Sequence, residues 1–162
     1  MRRPGIVAVG LALVVLVSGC MYQNEQFGFE FLHPKDCALT EQPDGAIGLA
    51  GGPVHLSVIV GSRLELHVSD SGGLSLADYV SQVAGQLEAR GASIDSVMPA
   101  APVDGVEAVT IQYRFGGLNR YGEATFFERD GRVYDVGFDA GAFSCNEPQA
   151  YELVLSTFRF TE

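Results

Sequence analysis

EATFFERDGRVYDVGFD (Glu123–Asp139) sets two alternating apolar runs on either side of Asp130-Gly131. Asp-Gly between such runs is a strong local signal for a two-residue β-turn, so the stretch reads as a hairpin of strands Tyr121–Arg129 and Arg132–Asp139. A two-residue turn places Arg129 opposite Arg132. Phe127 then meets Tyr134, Thr125 meets Val136, and Glu123 meets Phe138, with Tyr134, Val136 and Phe138 on one apolar face.

Upstream, Glu107–Phe115 alternates in the same way and leads into Gly116-Gly117. Keeping Val109, Ile111, Tyr113 and Phe115 on the apolar face of Tyr134 requires them to meet Phe127, Thr125, Glu123 and Tyr121, with a five-residue loop between the strands. The opposite face then carries Arg114, Gly122 and Asp139 in one row and Gln112, Ala124 and Gly137 in the next. Arg114 and Asp139 lie two strand spacings apart, roughly 9.6 Å. The register therefore predicts an Arg114–Asp139 ion pair crossing Gly122. This small-residue row is either the floor of a groove for a partner or ligand, or the seat of a covering helix.

Before the hairpins, SLADYVSQVAGQLEARG (Ser75–Gly91) has Leu76, Tyr79, Val80, Val83 and Leu87 at helical spacing. Ser75 with Asp78 resembles a capping box, and Gly91 suits the left-handed residue that ends a helix. At the other end, NEPQAYELVLSTFRF (Asn146–Phe160) predicts a shorter helix begun by Asn146 and Pro148, followed by a short strand at Phe158 and Phe160. FGFEFLHP (Phe27–Pro34) alternates Phe27, Phe29 and Phe31 and stops at Pro34, as a half-buried strand does. Further strands are expected at Ala46–Leu49, Val54–Val60 and Leu64–Val68. The sum is an α+β domain with a mostly antiparallel sheet of about six or seven strands and helices packed on it.

The amino terminus carries an address. Arg2 and Arg3 precede an apolar run from Ile6 to Val17 that ends at Ser18-Gly19, the layout of a secretory signal peptide and too short for a comfortable membrane span. VSGC (Val17–Cys20) resembles the lipobox of bacterial lipoproteins, which implies cleavage before Cys20 and acylation of that cysteine with palmitate-type chains. The rival readings are an uncleaved anchor helix and an ordinary cleaved signal with a free Cys20. On the lipoprotein reading, residues 1–19 are signal, residues 20–26 are lipidated cysteine and short tether, and residues 27–162 form a single domain in the cell envelope, outside the cytoplasm. The membrane is its first partner, through the lipid.

The chain has a formal net charge of −10, more negative still once Arg2 and Arg3 leave. Such a polyanion is repelled by phosphate, which argues against a nucleic-acid partner. Two cysteines remain, Cys37 and Cys145, and an even pair in an exported chain suggests a disulfide, the alternative being two separate buried thiols.

FGFEFLHP behind a lipobox, LADYVSQV (Leu76–Val83), GRVYDVGFDA (Gly131–Ala140) and AYELVLSTFRF (Ala150–Phe160) together resemble the PsbP-like superfamily. That group includes photosystem II PsbP proteins, actinobacterial LpqN-type lipoproteins and a eukaryotic Ran-binding import factor. The resemblance covers the mature chain and implies an α/β/α arrangement, an antiparallel sheet sandwiched by helices, whose members mostly bind or assemble without catalysing. It also implies that Cys37, standing where many relatives have Trp, neighbours Cys145. No binding residues carry over, because no site motif is matched.

Chemistry is sparse. In the hairpin register that pairs Ile59 with Arg63, His55 falls opposite His67, a weak candidate metal pair with no carboxylate or thiol nearby in the pattern, and two solvated surface histidines are the plainer reading. GAFSC (Gly141–Cys145) is not a nucleophile elbow, and no glycine-rich phosphate loop precedes a helix. Asp135 and Asp139 share a strand face but stand roughly 13 Å apart, too far for a glycosidase pair, and read as a solvated or salt-bridged edge. No catalytic residue, metal or cofactor is assigned. The expected function is a non-catalytic binding or assembly module with a protein partner in the envelope. The alternatives are a carrier of a small apolar ligand held between sheet and helix, and, behind it, an enzyme.

Overall fold

The computed structural model describes residues 19–43, 53–116, 120–139 and 145–162. Its elements in chain order are β1 (Gly19–Asn24), β2 (Phe29–Pro34), β3 (Leu39–Pro43), β4 (Val54–Val60), β5 (Leu64–Asp70), α1 (Leu76–Ala89), β6 (Ala92–Val103), β7 (Val106–Phe115), β8 (Arg120–Arg129), β9 (Arg132–Asp139), α2 (Glu147–Thr157) and β10 (Arg159–Phe160). Seven strands form one antiparallel sheet in the order β3-β4-β5-β9-β8-β7-β6, and β1-β2-β10 form a second, smaller one. The fold class is α+β, as expected. The expected strand at Ala46–Leu49 and the signal segment before Gly19 lie outside the described residues.

The hairpin that opened the reading is present in the expected register. Arg129 pairs with Arg132, Phe127 with Tyr134, Thr125 with Val136 and Glu123 with Phe138. The β7–β8 register is one residue different: Phe115 pairs with Arg120, Tyr113 with Gly122 and Ile111 with Ala124. A one-residue slip turns every β7 side chain to the other face. The expectation assumed one apolar face, whereas this sheet is buried on both. Val109, Ile111, Tyr113 and Phe115 join Ala124, Phe126 and Val133 beneath Tyr79, Val80, Val83 and Leu87 of α1. Phe127, Tyr134, Val136 and Phe138 face the other way, against Tyr151, Val154 and Phe158.

That second face is the larger core. Phe27, Phe29 and Phe31 alternate into it, and Phe29 stacks on Phe31 and Phe158 and meets Tyr134 edge-on, with Phe127 packed against Phe158 and Tyr134. Within it, Thr110 and Thr125 bond each other at 2.6 Å, and Thr125 bonds the Tyr151 hydroxyl at 2.6 Å, so a buried polar row is satisfied internally. Cys37 and Cys145 are joined by a disulfide, their Cα atoms 5.4 Å apart. It fastens the end of β2 to the start of α2.

Both helix starts follow their caps. Ser75 Oγ accepts from the Asp78 N–H and donates to the Asp78 carboxylate at 2.7 Å, while Asn146 Oδ1 accepts from the Gln149 N–H. Residues 20–26, expected as a tether, are mostly β1: Cys20 pairs with His33 and Asn24 with Phe29. MYQN carries little strand signal by itself. It is held by β2 and by Tyr22, whose ring packs near Phe29 and Phe31 and whose hydroxyl donates to Glu41 at 2.9 Å.

Candidate functional site

α1 packs mainly on β6, β7 and β8, with Val133 of β9 also beneath it, and gives less cover to Glu65 of β5 and to Gly137 and Asp139 of β9. At its C-terminal end a cavity of about 250 Å³ opens between helix and sheet. Its floor is Ala124 of β8 and Gly137 of β9, paired in register. A side chain at Gly137 would lie 2.9 Å from the Ala124 methyl, so this floor stays low only because both residues are small. Tyr113, Phe115 and Leu87 form one wall, and Glu65, His67, Asp135 and the Arg63–Asp139 pair form the other, with Arg90 at the rim.

The polar wall is built by strand pairing. β5 and β9 place His67 opposite Asp135 and Glu65 opposite Gly137. Asp135 Oδ1 accepts from His67 Nδ1 at 3.0 Å, and Glu65 Oε2 accepts from Nε2 at 3.0 Å. Burial alone would lower the affinity of His67 for its second proton, but the two carboxylates, Asp135 foremost, outweigh it and push the pKa up to about 10. The hydrogen bond from His67 holds the Glu65 carboxyl below its ordinary value, against the opposing effect of burial. Asp135 is 1% exposed, and its Oδ2 has no hydrogen-bond partner among the described residues. Across the floor, burial first, and then the nearby charges of Asp139, Asp135 and Glu65, push the Tyr113 hydroxyl up to about 12, so it stays a neutral donor.

Arg63 comes from the three-residue β4–β5 turn, which Gly61 makes possible with φ of 69°. Glu147, fully buried at the start of α2, clasps that turn, accepting from the Ser62 N–H at 3.0 Å and from the Ser62 hydroxyl at 3.2 Å. Arg63 then reaches Asp139 at 3.3 Å.

The expected site residues are distributed differently. Gly122 and Asp139 do share a row, but the one-residue slip puts Tyr113 there instead of Arg114. The Tyr113 ring lies directly over Gly122, which has no side chain to oppose it. Arg114 stands on the other face and bonds Asp95 at 2.6 Å, so the Arg114–Asp139 ion pair does not form. The second row is Ile111, Ala124 and Gly137 rather than Gln112, Ala124 and Gly137. Part of the small-residue strip is therefore a seat for Tyr113, and part floors a cavity.

His55 and His67 are likewise separated. The β4–β5 register shifts by two residues from the expected one, Ile59 meeting Glu65, and β4 bulges between Val54 and Leu56. His67 meets Ser57, while His55 bonds Asp70 at 3.0 Å and stacks near Phe27. A two-residue shift leaves the apolar faces unchanged, so alternation could not decide between the registers; the left-handed glycine at position 61 was the available signal. Asp135, expected at a solvated or salt-bridged edge, is salt-bridged to His67 but buried in a central strand. Glu65, Arg63, Arg90 and Tyr113 were not assigned from sequence, because none belongs to a local motif.

No family profile and no curated protein matches the chain. Among solved structures it is similar to cyanobacterial PsbP from Synechocystis sp. PCC 6803, at 16% identity and a TM-score of 0.60 over 97% of this chain and 98% of that one. A protein of unknown function from Pseudomonas aeruginosa aligns at 17% identity over 75% of this chain and 82% of its own, with a TM-score of 0.44. With near-complete coverage of both chains by the cyanobacterial structure, the two-sided antiparallel sheet described above is a PsbP-like fold.

Proposed function

We propose that this chain is a lipid-anchored module of the cell envelope that binds a partner or ligand and does not catalyse. The carrying observation is the state of its polar cavity. A general acid or base works best with a pKa near the working pH. His67, the histidine of this cavity, is held as an imidazolium far above that range by Asp135 and Glu65. The group that most resembles acid–base machinery is thus a fixed cation within an ion cluster. An apolar cargo is disfavoured by the same charged wall. The anchor reading rests on VSGC and the short apolar run before it, and β1 would then hold the acylated Cys20 close to the domain instead of on a free tether.

Two measurements on the full-length chain test this reading. An NMR pH titration should show the His67 ring charged through pH 8; a midpoint near 6.5 would return it to the range of a catalytic group and overturn the non-catalytic reading. Intact mass of the membrane fraction should show a mature chain beginning at Cys20 and carrying acyl chains, lost in Cys20→Ala. An unmodified Cys20 in that fraction would overturn the anchor.

A further inference from the structure

We propose that the cavity between α1 and the β5–β9 pair binds the ring of a neutral polyhydroxylated molecule, a single sugar unit. This deepens the binding-module reading and rests on it.

Size comes first. At about 250 Å³ the cavity falls below the roughly 300 Å³ at which pockets for drug-sized ligands begin, which suits one small ring. Shape is next. At the floor Gly137, partly exposed and with no side chain, leaves room for a flat ring over β9. Beside it stand Tyr113 and Phe115, their ring centroids 5.8 Å apart and nearly perpendicular, an apolar wall for the C–H face of a sugar.

Charge selects the class. The lining holds three acids, Glu65, Asp135 and Asp139, against Arg63, Arg90 and the protonated His67. The balance gives a net ion no overall attraction. The charges are also largely engaged with each other, through Arg63–Asp139 and the Asp135–His67–Glu65 cluster. A zwitterion would have to displace those pairs to be recognised. A hydroxyl need not, since it donates to a spare carboxylate lone pair and accepts from a guanidinium while the existing pairs stay in place. Glu65, whose side chain is 47% exposed and uses only Oε2 on His67, is an acceptor of that kind. Arg90, exposed at the rim and in no ion pair among the described residues, is a donor.

The test is a titration of the full-length chain in zwitterionic detergent with glucose, galactose, arabinose and N-acetylglucosamine, read by amide NMR shifts at Ala124 and Gly137. At least one sugar should give saturable shifts at millimolar concentration, weakened at least tenfold by Tyr113→Ala and several-fold by Arg90→Ala, with Met98→Ala on the distant β6 unchanged. Because Tyr113 is partly core, Arg90→Ala, at an exposed helix end, carries the result if Tyr113→Ala fails to fold. Glucuronate, glycine and spermidine, as anion, zwitterion and cation, should bind more weakly than the best neutral sugar. No saturable shift with any neutral sugar, tighter binding of a charged probe, or insensitivity to Arg90→Ala would each overturn the proposal. Loss of sugar binding with His67 still charged at pH 8 would leave the binding-module reading standing; a His67 midpoint near 6.5 would remove that reading whatever the sugars do.

Discussion

The two faces of the seven-stranded sheet are made by the same strands and solve opposite problems. On the α2 face, alternate residues of β5, β8 and β9 meet a second sheet and a helix, and the space fills with Phe29, Phe31, Phe127, Tyr134 and Phe158. On the α1 face, one helix covers β6 to β8 and the Val133 end of β9, and gives less cover to the Glu65 end of β5 and the Asp139 end of β9. At that less covered end Glu65, His67, Asp135 and Asp139 collect, with Asp135 the most deeply buried of them. Partial cover lets Glu65, Arg63 and Asp139 keep some solvent, while the buried Asp135 is offset by its pairing with His67. The difference between the faces thus comes from how far each covering layer extends, and it separates an apolar core from a charged cleft.

Phe127→Ala puts the sharpest strain on that separation. The residue is fully buried and touches Tyr134, Phe158 and Phe160. Its truncation should cost about 4 kcal/mol by urea unfolding. If the faces are independent, the folded fraction should keep the Ala124 and Gly137 amide positions of wild type. A shift at those amides as large as the shifts near Phe158 would show that the two faces are mechanically one.

Elements with their own local chemistry were legible: Asp130-Gly131 set the β8–β9 register, Ser75 with Asp78 started α1, and Asn146 with Pro148 started α2. The β7–β8 register was not. Val109, Ile111, Tyr113 and Phe115 needed an apolar partner face, and two were on offer; only the tertiary placement of α1 chooses between them. β3 and β1 were missed because each has few apolar residues and lies at a sheet edge, held by one neighbour. The small-residue strip expected in β8 and β9 lines the cavity in part, through Ala124 and Gly137. It could not show that Tyr113 would occupy Gly122, nor that His67 would meet Asp135, since both contacts join strands through registers that alternation leaves degenerate.

A smaller effect tests the charged face by itself. The His67 pKa is raised from its ordinary 6.5 to about 10 in the folded chain. A raised folded pKa means the folded state holds a proton that the unfolded chain gives up, so the associated stability is complete below pH 6.5 and is lost as pH climbs toward 10. Unfolding by urea should therefore show stability falling by about 2 kcal/mol between pH 7 and pH 9, less than the full slope of one proton because His67 retains some solvent contact. The raised tyrosines, Tyr22, Tyr113 and Tyr121, each pushed up to about 12 with burial the largest cause, open their own window only above pH 10, so they do not contribute to this slope. Glu65, held low chiefly by its hydrogen bond from His67, loses its contribution only as pH falls below the carboxylate range. The slope between 7 and 9 thus belongs to one imidazole. His67→Gln should abolish it, giving a flat profile over that interval at a stability nearer to wild type at pH 9 than at pH 7. A flat wild-type profile would mean that the Asp135–His67–Glu65 cluster is not charged when folded, and the physical contrast between the two faces would then rest on packing alone.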